Sequence, residues 1–139
     1  MADVVPFLSY ENPGTAGDWL VRAFGFDEVE RIEEDGRVGH VTLSVGDGLI
    51  YLGHPGADYV NPLHLRERCE AAARMYTVPW VVDGVLVVAD DLDAHCGRAR
   101  AAGARILSEP EQTAHGRQYR AEDPEGHRWL FEQRVNPRG

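Results

Sequence analysis

The stretch DPEGHRWLFEQ, Asp123 to Gln133, carries the reading of this chain's fold. Asp-Pro-Glu-Gly is turn chemistry, because proline presets one backbone angle and glycine accepts a left-handed one. His127 to Glu132 then alternates as a strand does, with Arg128, Leu130 and Glu132 on one face and Trp129 and Phe131 on the other. The segment reads as a short edge strand that packs its two aromatics beneath a helix. What the opposite face meets is the functional question.

Upstream lie GVLVVAD (84–90), a helix DAHCGRARAAG with an acidic start and a stop at Gly103, ARILSEP (104–110) and GRQYRAE. This half therefore reads strand, helix, strand, strand, strand. The first half has the same grammar. VVPFLSY (4–10) is followed by a polar turn ENPGTAGD, a helix WLVRAFGF stopped by Gly25, then EVERIEEDG, RVGHVTLSV (37–45), a GDG turn and LIYLGH. Gly25, Gly36 and Gly48 recur as Gly103, Gly116 and Gly126 in the same order and at nearly constant separation. Such punctuation points to a duplicated unit. Between the halves, PLHLRERCEAAARMY has helical spacing and starts well at Pro62. The expected organisation is a first βαβββ module (1–54), a connecting helical segment (55–80), a second βαβββ module (81–135) and a tail (136–139).

Taken together, the tandem modules, DDLDAHCGRARAAGARI and YRAEDPEGHRWLFEQ resemble the vicinal oxygen chelate superfamily of glyoxalases, ring-cleaving dioxygenases and bleomycin resistance proteins. The resemblance covers nearly the whole chain and is closest from Gly84 to Gln133. It implies an α+β fold in which two βαβββ modules form an open, curled, eight-stranded barrel-like sheet with helices outside. It also implies a homodimer. It does not choose an activity, since one fold hosts several functions.

In catalytic members one divalent metal is held by a His or Gln early in each module's first strand and usually a Glu in each fourth strand. Imidazole and carboxylate suit iron, manganese, nickel or zinc. The matching positions here are Val5, Gly84, Leu130 and Tyr51, or Ile50 if the shorter turn shifts the register. None of these side chains serves a divalent cation, so the reading expects no metal, no cofactor and no catalytic residue. A relocated set drawing on Glu132, His40 and Tyr51 remains as the alternative, a glyoxalase- or dioxygenase-like enzyme with a displaced metal. A third reading is a family member that serves only as a partner-binding scaffold.

Without a metal, alternation lines the concave side with apolar and aromatic groups and a few polar ones, as a small-molecule pocket requires. The candidate ligand-binding residues are Phe7, His40, Tyr51, Trp80, His115, Arg128, Leu130 and Glu132. Aromatic faces stack on planar compounds, and Glu132 favours a cationic one. Cys69 and Cys96 fit no zinc spacing.

The bulk composition narrows the partners. A net charge of −9 disfavours nucleic acid and anionic membranes. No apolar run approaches a membrane span, and MADVVPFLSY lacks a basic region leading into an apolar core, so a cytoplasmic protein is expected. No phosphate-binding glycine loop and no nucleophile elbow is present. The reading that results is a cytoplasmic, metal-free, bleomycin-resistance-like homodimer that sequesters a small aromatic or cationic compound.

Overall fold

Residues 3–80 and 82–135 are described by the computed structural model, and the chain divides between Asn61 and Pro62 into two units. The tail expected at 136–139 lies outside the described residues, as does Val81.

The first unit runs β1 (Phe7–Ser9), α1 (Pro13–Phe24), β2 (Asp27–Glu34), β3 (Arg37–Val45) and β4 (Gly48–Gly53). Its sheet has the order β1-β4-β3-β2, with β1 parallel to β4 and the other pairs antiparallel. The helix begins earlier than expected. Gly14 and Gly17, expected in a polar turn, lie inside α1 after a proline that needs no hydrogen-bond partner at the first helical position. Packing explains them: a Cβ on Gly14 would stand 3.1 Å from Val38 Cβ, and one on Gly17 would stand 3.1 Å from Val41 Cγ1. Glycine therefore lets α1 sit directly on β3, and tertiary contact overrides helix propensity. Val41, Leu43, Ile50 and Leu52 are buried on this face. Ile50 is thus a core residue, and Tyr51 takes the opposite face.

The second unit runs α2 (Pro62–Arg68), α3 (Glu70–Met75), β5 (Gly84–Val88), α4 (Leu92–Ala101), β6 (Arg105–Thr113), β7 (Gly116–Glu122) and β8 (Arg128–Arg134). Its sheet order, β5-β8-β7-β6 with β5 parallel to β8, repeats that of the first unit. The strand expected at an edge is therefore an inner one. β8 is hydrogen-bonded to β5 on one side and to β7 on the other. The expected faces are correct: Trp129 and Phe131 are buried together with Tyr119, Leu92, Cys96 and Ala99, on the side that α4 covers. Asp91 caps α4 by accepting Ala94 N–H at 3.2 Å, a contact of about 1 kcal/mol.

The expected connecting helix is broken. Cys69 is extended (φ −140°, ψ 113°) and separates α2 from α3. The break redirects the chain so that both parts converge on one buried carboxylate. Arg66 on α2 grips Glu122 Oε1 and Oε2 at 2.8 and 3.0 Å. Beyond α3, the Tyr76 and Val78 carbonyls accept hydrogen bonds from Arg128, whose Nε also reaches Glu122 at 3.1 Å.

The DPEG turn is organised by its first residue. Asp123 Oδ1 accepts the N–H groups of Glu125 and His127 at 3.0 Å each, and Oδ2 accepts the Trp129 indole N–H at 3.1 Å. Gly126 has φ +91°, and a Cβ there would lie 2.7 Å from Leu63 N. The turn is thus the seat of α2, whose Leu63 N–H donates to Glu125 O at 3.1 Å. Among the described residues no helix is long and apolar enough to cross a membrane.

Candidate functional site

α1 covers one face of the first sheet and α4 one face of the second; the face that α4 leaves uncovered is reached at its Arg128–Glu122 end by Arg66 of α2 and the carbonyls of Tyr76 and Val78. On the uncovered face of the first sheet, Phe7, Tyr51 and Thr42 stand side by side across β1, β4 and β3. Phe7 is 71% exposed and Tyr51 36%. His40 meets Tyr51 edge-on at 5.2 Å between ring centroids, and its Nε2 lies 2.7 Å from Thr42 Oγ1. The three first-half candidates Phe7, His40 and Tyr51 are therefore neighbours on a single face.

The uncovered face of the second sheet carries three rows. Gly84, Arg128 and Glu122 form one; Leu86, Leu130, Arg120 and Ser108 form the next; Val88, Glu132 and Gln118 form the third. Above the middle row the segment Pro79–Trp80 closes a cleft of about 150 Å³, lined also by Leu86, Arg120, Arg128 and Leu130. Trp80 is 71% exposed, so its ring is open to a ligand. Three second-half candidates, Trp80, Arg128 and Leu130, meet here.

The remaining two candidates stand apart from the cleft. Glu132 is buried in the neighbouring row, accepts a 2.7 Å hydrogen bond from the Gln118 amide and pairs with Arg134 at 3.2 Å. The Gln118 hydrogen bond holds its carboxyl below the ordinary value against burial, with help from Arg134. His115 is exposed in the turn between β6 and β7. It is not a wall of the cleft.

Arg128 lines the cleft, but its guanidinium is engaged elsewhere. It donates to Tyr76 O at 2.5 Å, Val78 O at 2.6 Å and Glu122, and it lies 4.8 Å over the Tyr76 ring. It thereby positions the strand of chain that carries Trp80. The polar group missing from the sequence-based candidates is Arg120. Period-two alternation along GRQYRAE places Gln118, Arg120 and Glu122 on one face, so the signal was available.

The metal positions can be tested against the geometry. Leu130 lies in the cleft, Tyr51 on the open face of the first sheet, and Gly84 opposite Arg128, where a Cβ would stand 2.7 Å from Arg128 O. Val5 precedes β1. Among the described residues no group of three or more His, Cys, Asp or Glu side chains is gathered closely enough to hold an ion. The side chains present do not fit the metal that the fold's catalytic members use. Cys96 is buried on the inner face of α4, and burial raises its thiol pKa, which is the setting of an inert core thiol.

A larger hollow of about 700 Å³ runs between α1 and the β2–β3 hairpin, lined by Glu11, Asp18, Arg31, Glu34 and Asp35 among others. Its size exceeds that of the second-unit cleft, but it has no aromatic ring other than His54 in its walls and carries Glu11, Asp18, Arg31, Glu34, Asp35 and Arg37. Arg31 is already paired with Asp18 and Glu28 at 2.6 Å each. An aromatic ligand gains little by leaving water for such walls, so the smaller cleft with its indole and leucines is the better candidate.

A family model described as the glyoxalase/bleomycin resistance protein/dioxygenase superfamily matches residues 7–131. Among solved structures, TioX from Micromonospora sp. ML1 is 31% identical with a TM-score of 0.71, covering 97% of this chain and 100% of that one. TnmS3, an antibiotic binding protein from Streptomyces sp. CB03234, is 22% identical with a TM-score of 0.64, covering 96% and 98%. A glyoxalase I mutant from Zea mays is 14% identical with a TM-score of 0.68, covering 95% of this chain and 45% of that longer one. None of the curated proteins compared matches the chain.

Proposed function

Because this chain belongs to the glyoxalase/bleomycin resistance protein/dioxygenase superfamily, we propose that it binds and sequesters a small aromatic compound without using a metal. The observation that carries this reading is the second-unit cleft, whose walls include an exposed indole and two leucines. A space of about 150 Å³ is enough for a benzene ring, and this one has two arginines beside its apolar walls. The cleft therefore takes one ring of a larger planar molecule and leaves the rest outside. An antibiotic with such a ring is the class of compound proposed, and the protein acts in the cytoplasm as a resistance factor. Both the family's description and the binding role of TnmS3 support that choice. The fold is shared with a glyoxalase I, so the fold alone does not argue for binding over catalysis. Side chains at Val5, Gly84, Tyr51 and Leu130 do.

The experiment is a thermal-shift screen of bleomycin-type, glycopeptide and planar aromatic antibiotics, repeated with Trp80→Ala. A ligand present at a hundred times its dissociation constant stabilises the fold by about 2.7 kcal/mol. Trp80→Ala is expected to weaken every hit by about tenfold while leaving the ligand-free protein's stability unchanged, because the ring is mostly in solvent. Hits indifferent to Trp80→Ala place the ligand elsewhere. One tightly held divalent ion per chain, in protein purified without an affinity tag, overturns the metal-free part.

The assembly proposed is a homodimer. Phe7 at 71%, Leu86 at 46% and Val88 at 48% exposure, each on an uncovered sheet face, favour association, since soluble monomers rarely leave apolar patches open. Sedimentation velocity is expected to give twice the chain mass at micromolar concentration. A single-chain mass throughout the concentration series rules the dimer out.

A further inference from the structure

We infer that Arg120 makes the cleft selective for aromatic ligands bearing a carboxylate or a similar anionic oxygen pair. This inference rests on the second-unit cleft being the ligand site. Arg120 is half-buried, stands between Ser108 and Leu130 on the uncovered face, and lines the cleft beside Trp80. Among the described residues its side chain forms no hydrogen bond and no ion pair.

Its surroundings give it no internal partner. The nearest carboxylates of the same face are already answered. Glu122 is held by Arg66 at 2.8 Å and by Arg128 at 3.1 Å. Glu132 is held by Gln118 and Arg134. Arg128, the other guanidinium of the cleft, has its donors directed at Glu122, Tyr76 O and Val78 O. The cleft thus contains one cation with open donors, walled by Leu86, Leu130 and an indole. The planar fork of a guanidinium matches a carboxylate in two parallel hydrogen bonds.

The fold does not require an arginine here. In the first sheet the residue beside Tyr51 is Thr42, which is buried at 5% exposure and hydrogen-bonded to His40. In the second sheet the residue beside Leu130, the counterpart of Tyr51, is Arg120. Where one unit closes this position with a small bonded side chain, the other presents an unanswered charge. The chain's net charge of −9 works against anions at long range, but such fields are screened beyond about 8 Å at physiological ionic strength. Selection is therefore a short-range contact. It also reverses the preference for cations that Glu132 suggested in the sequence.

Three probes of nearly one shape test this: 2-naphthoate, 2-naphthamide and 2-naphthylmethylammonium, titrated by NMR on the Trp80 indole N–H signal. Trp80 is the exposed indole; Trp19 is 6% exposed and does not line the cleft, so its signal serves as the internal control. Native protein is expected to bind naphthoate about tenfold more tightly than naphthamide, the scale of a charge-assisted hydrogen bond at a partly exposed site. Arg120→Gln is expected to abolish that ratio by weakening naphthoate about tenfold more than naphthamide. Equal affinities for naphthoate and naphthamide, tightest binding of the ammonium probe, or a ratio that survives Arg120→Gln overturns the inference and leaves the proposed function standing. If no probe moves the Trp80 signal, the cleft is not an aromatic site, and both readings fall.

Discussion

Replacing Glu122 by alanine is expected to cost the second unit about 3–5 kcal/mol, the usual penalty for stripping one partner from a buried ion pair. The side chains of Glu122, Arg128 and Arg66 are 3%, 5% and 11% exposed. Removing the carboxylate leaves two guanidinium charges in that setting with no anion between them. Arg128 keeps the Tyr76 and Val78 carbonyls, and Arg105 loses only a looser contact at 3.8 Å. Glu122→Gln preserves the shape and one acceptor, so it is expected to lose less than the alanine variant. The effect reaches the cleft as well, because Arg128 positions the segment that ends in Trp80. Urea unfolding measures the stability, and an aromatic titration measures the cleft. A Glu122→Ala protein within about 1 kcal/mol of native would show that this network contributes no net stability.

Trp129→Ala is expected to be nearly as damaging, at about 3–5 kcal/mol, because a large buried ring leaves a cavity that its neighbours fill only in part. Trp129 is 1% exposed and sits on the helix-covered side of an inner strand. Its indole N–H also answers Asp123 Oδ2, so truncation leaves a buried carboxylate oxygen short of a donor. Trp129→Phe retains most of the ring and loses that hydrogen bond, and about 1–2 kcal/mol is expected. The alanine variant should also lose near-ultraviolet circular dichroism, as α4 loosens from the sheet. Equal stabilities for Trp129→Ala and Trp129→Phe would mean that ring volume is not what holds this face together.

The features legible in the sequence are those set by local backbone geometry. Side chains alternate along any strand, so counting alone assigns Trp129 and Phe131 to the helix side and Arg128, Leu130 and Glu132 to the other. Turn residues act within a few positions, so DPEG and the matched glycines reveal two modules of one kind. Errors arise where packing between distant segments overrides local preference. Gly14 and Gly17 look like turn residues, yet they are helical because Val38 and Val41 press against them. The strand β8 looks like an edge because nothing in its own residues says that it is bonded on both sides.

The candidate site divides along the same line. Which residues share a face follows from counting by twos. Which of those residues remain available to a ligand depends on partners far away in the chain. Arg128 looks like a ligand-binding group, but carbonyls at Tyr76 and Val78 and a carboxylate at Glu122 engage it. Glu132 looks like the lone acid of its face, but Gln118 and Arg134 meet its charge. The sequence by itself determined the duplicated strand–helix–strand–strand–strand plan, because it depends on residue type and short-range order. Only the tertiary structure decided which charges cancel one another, since ion pairs form between segments whose separation along the chain carries no information about their distance in space. The charge it leaves unanswered in the cleft is Arg120.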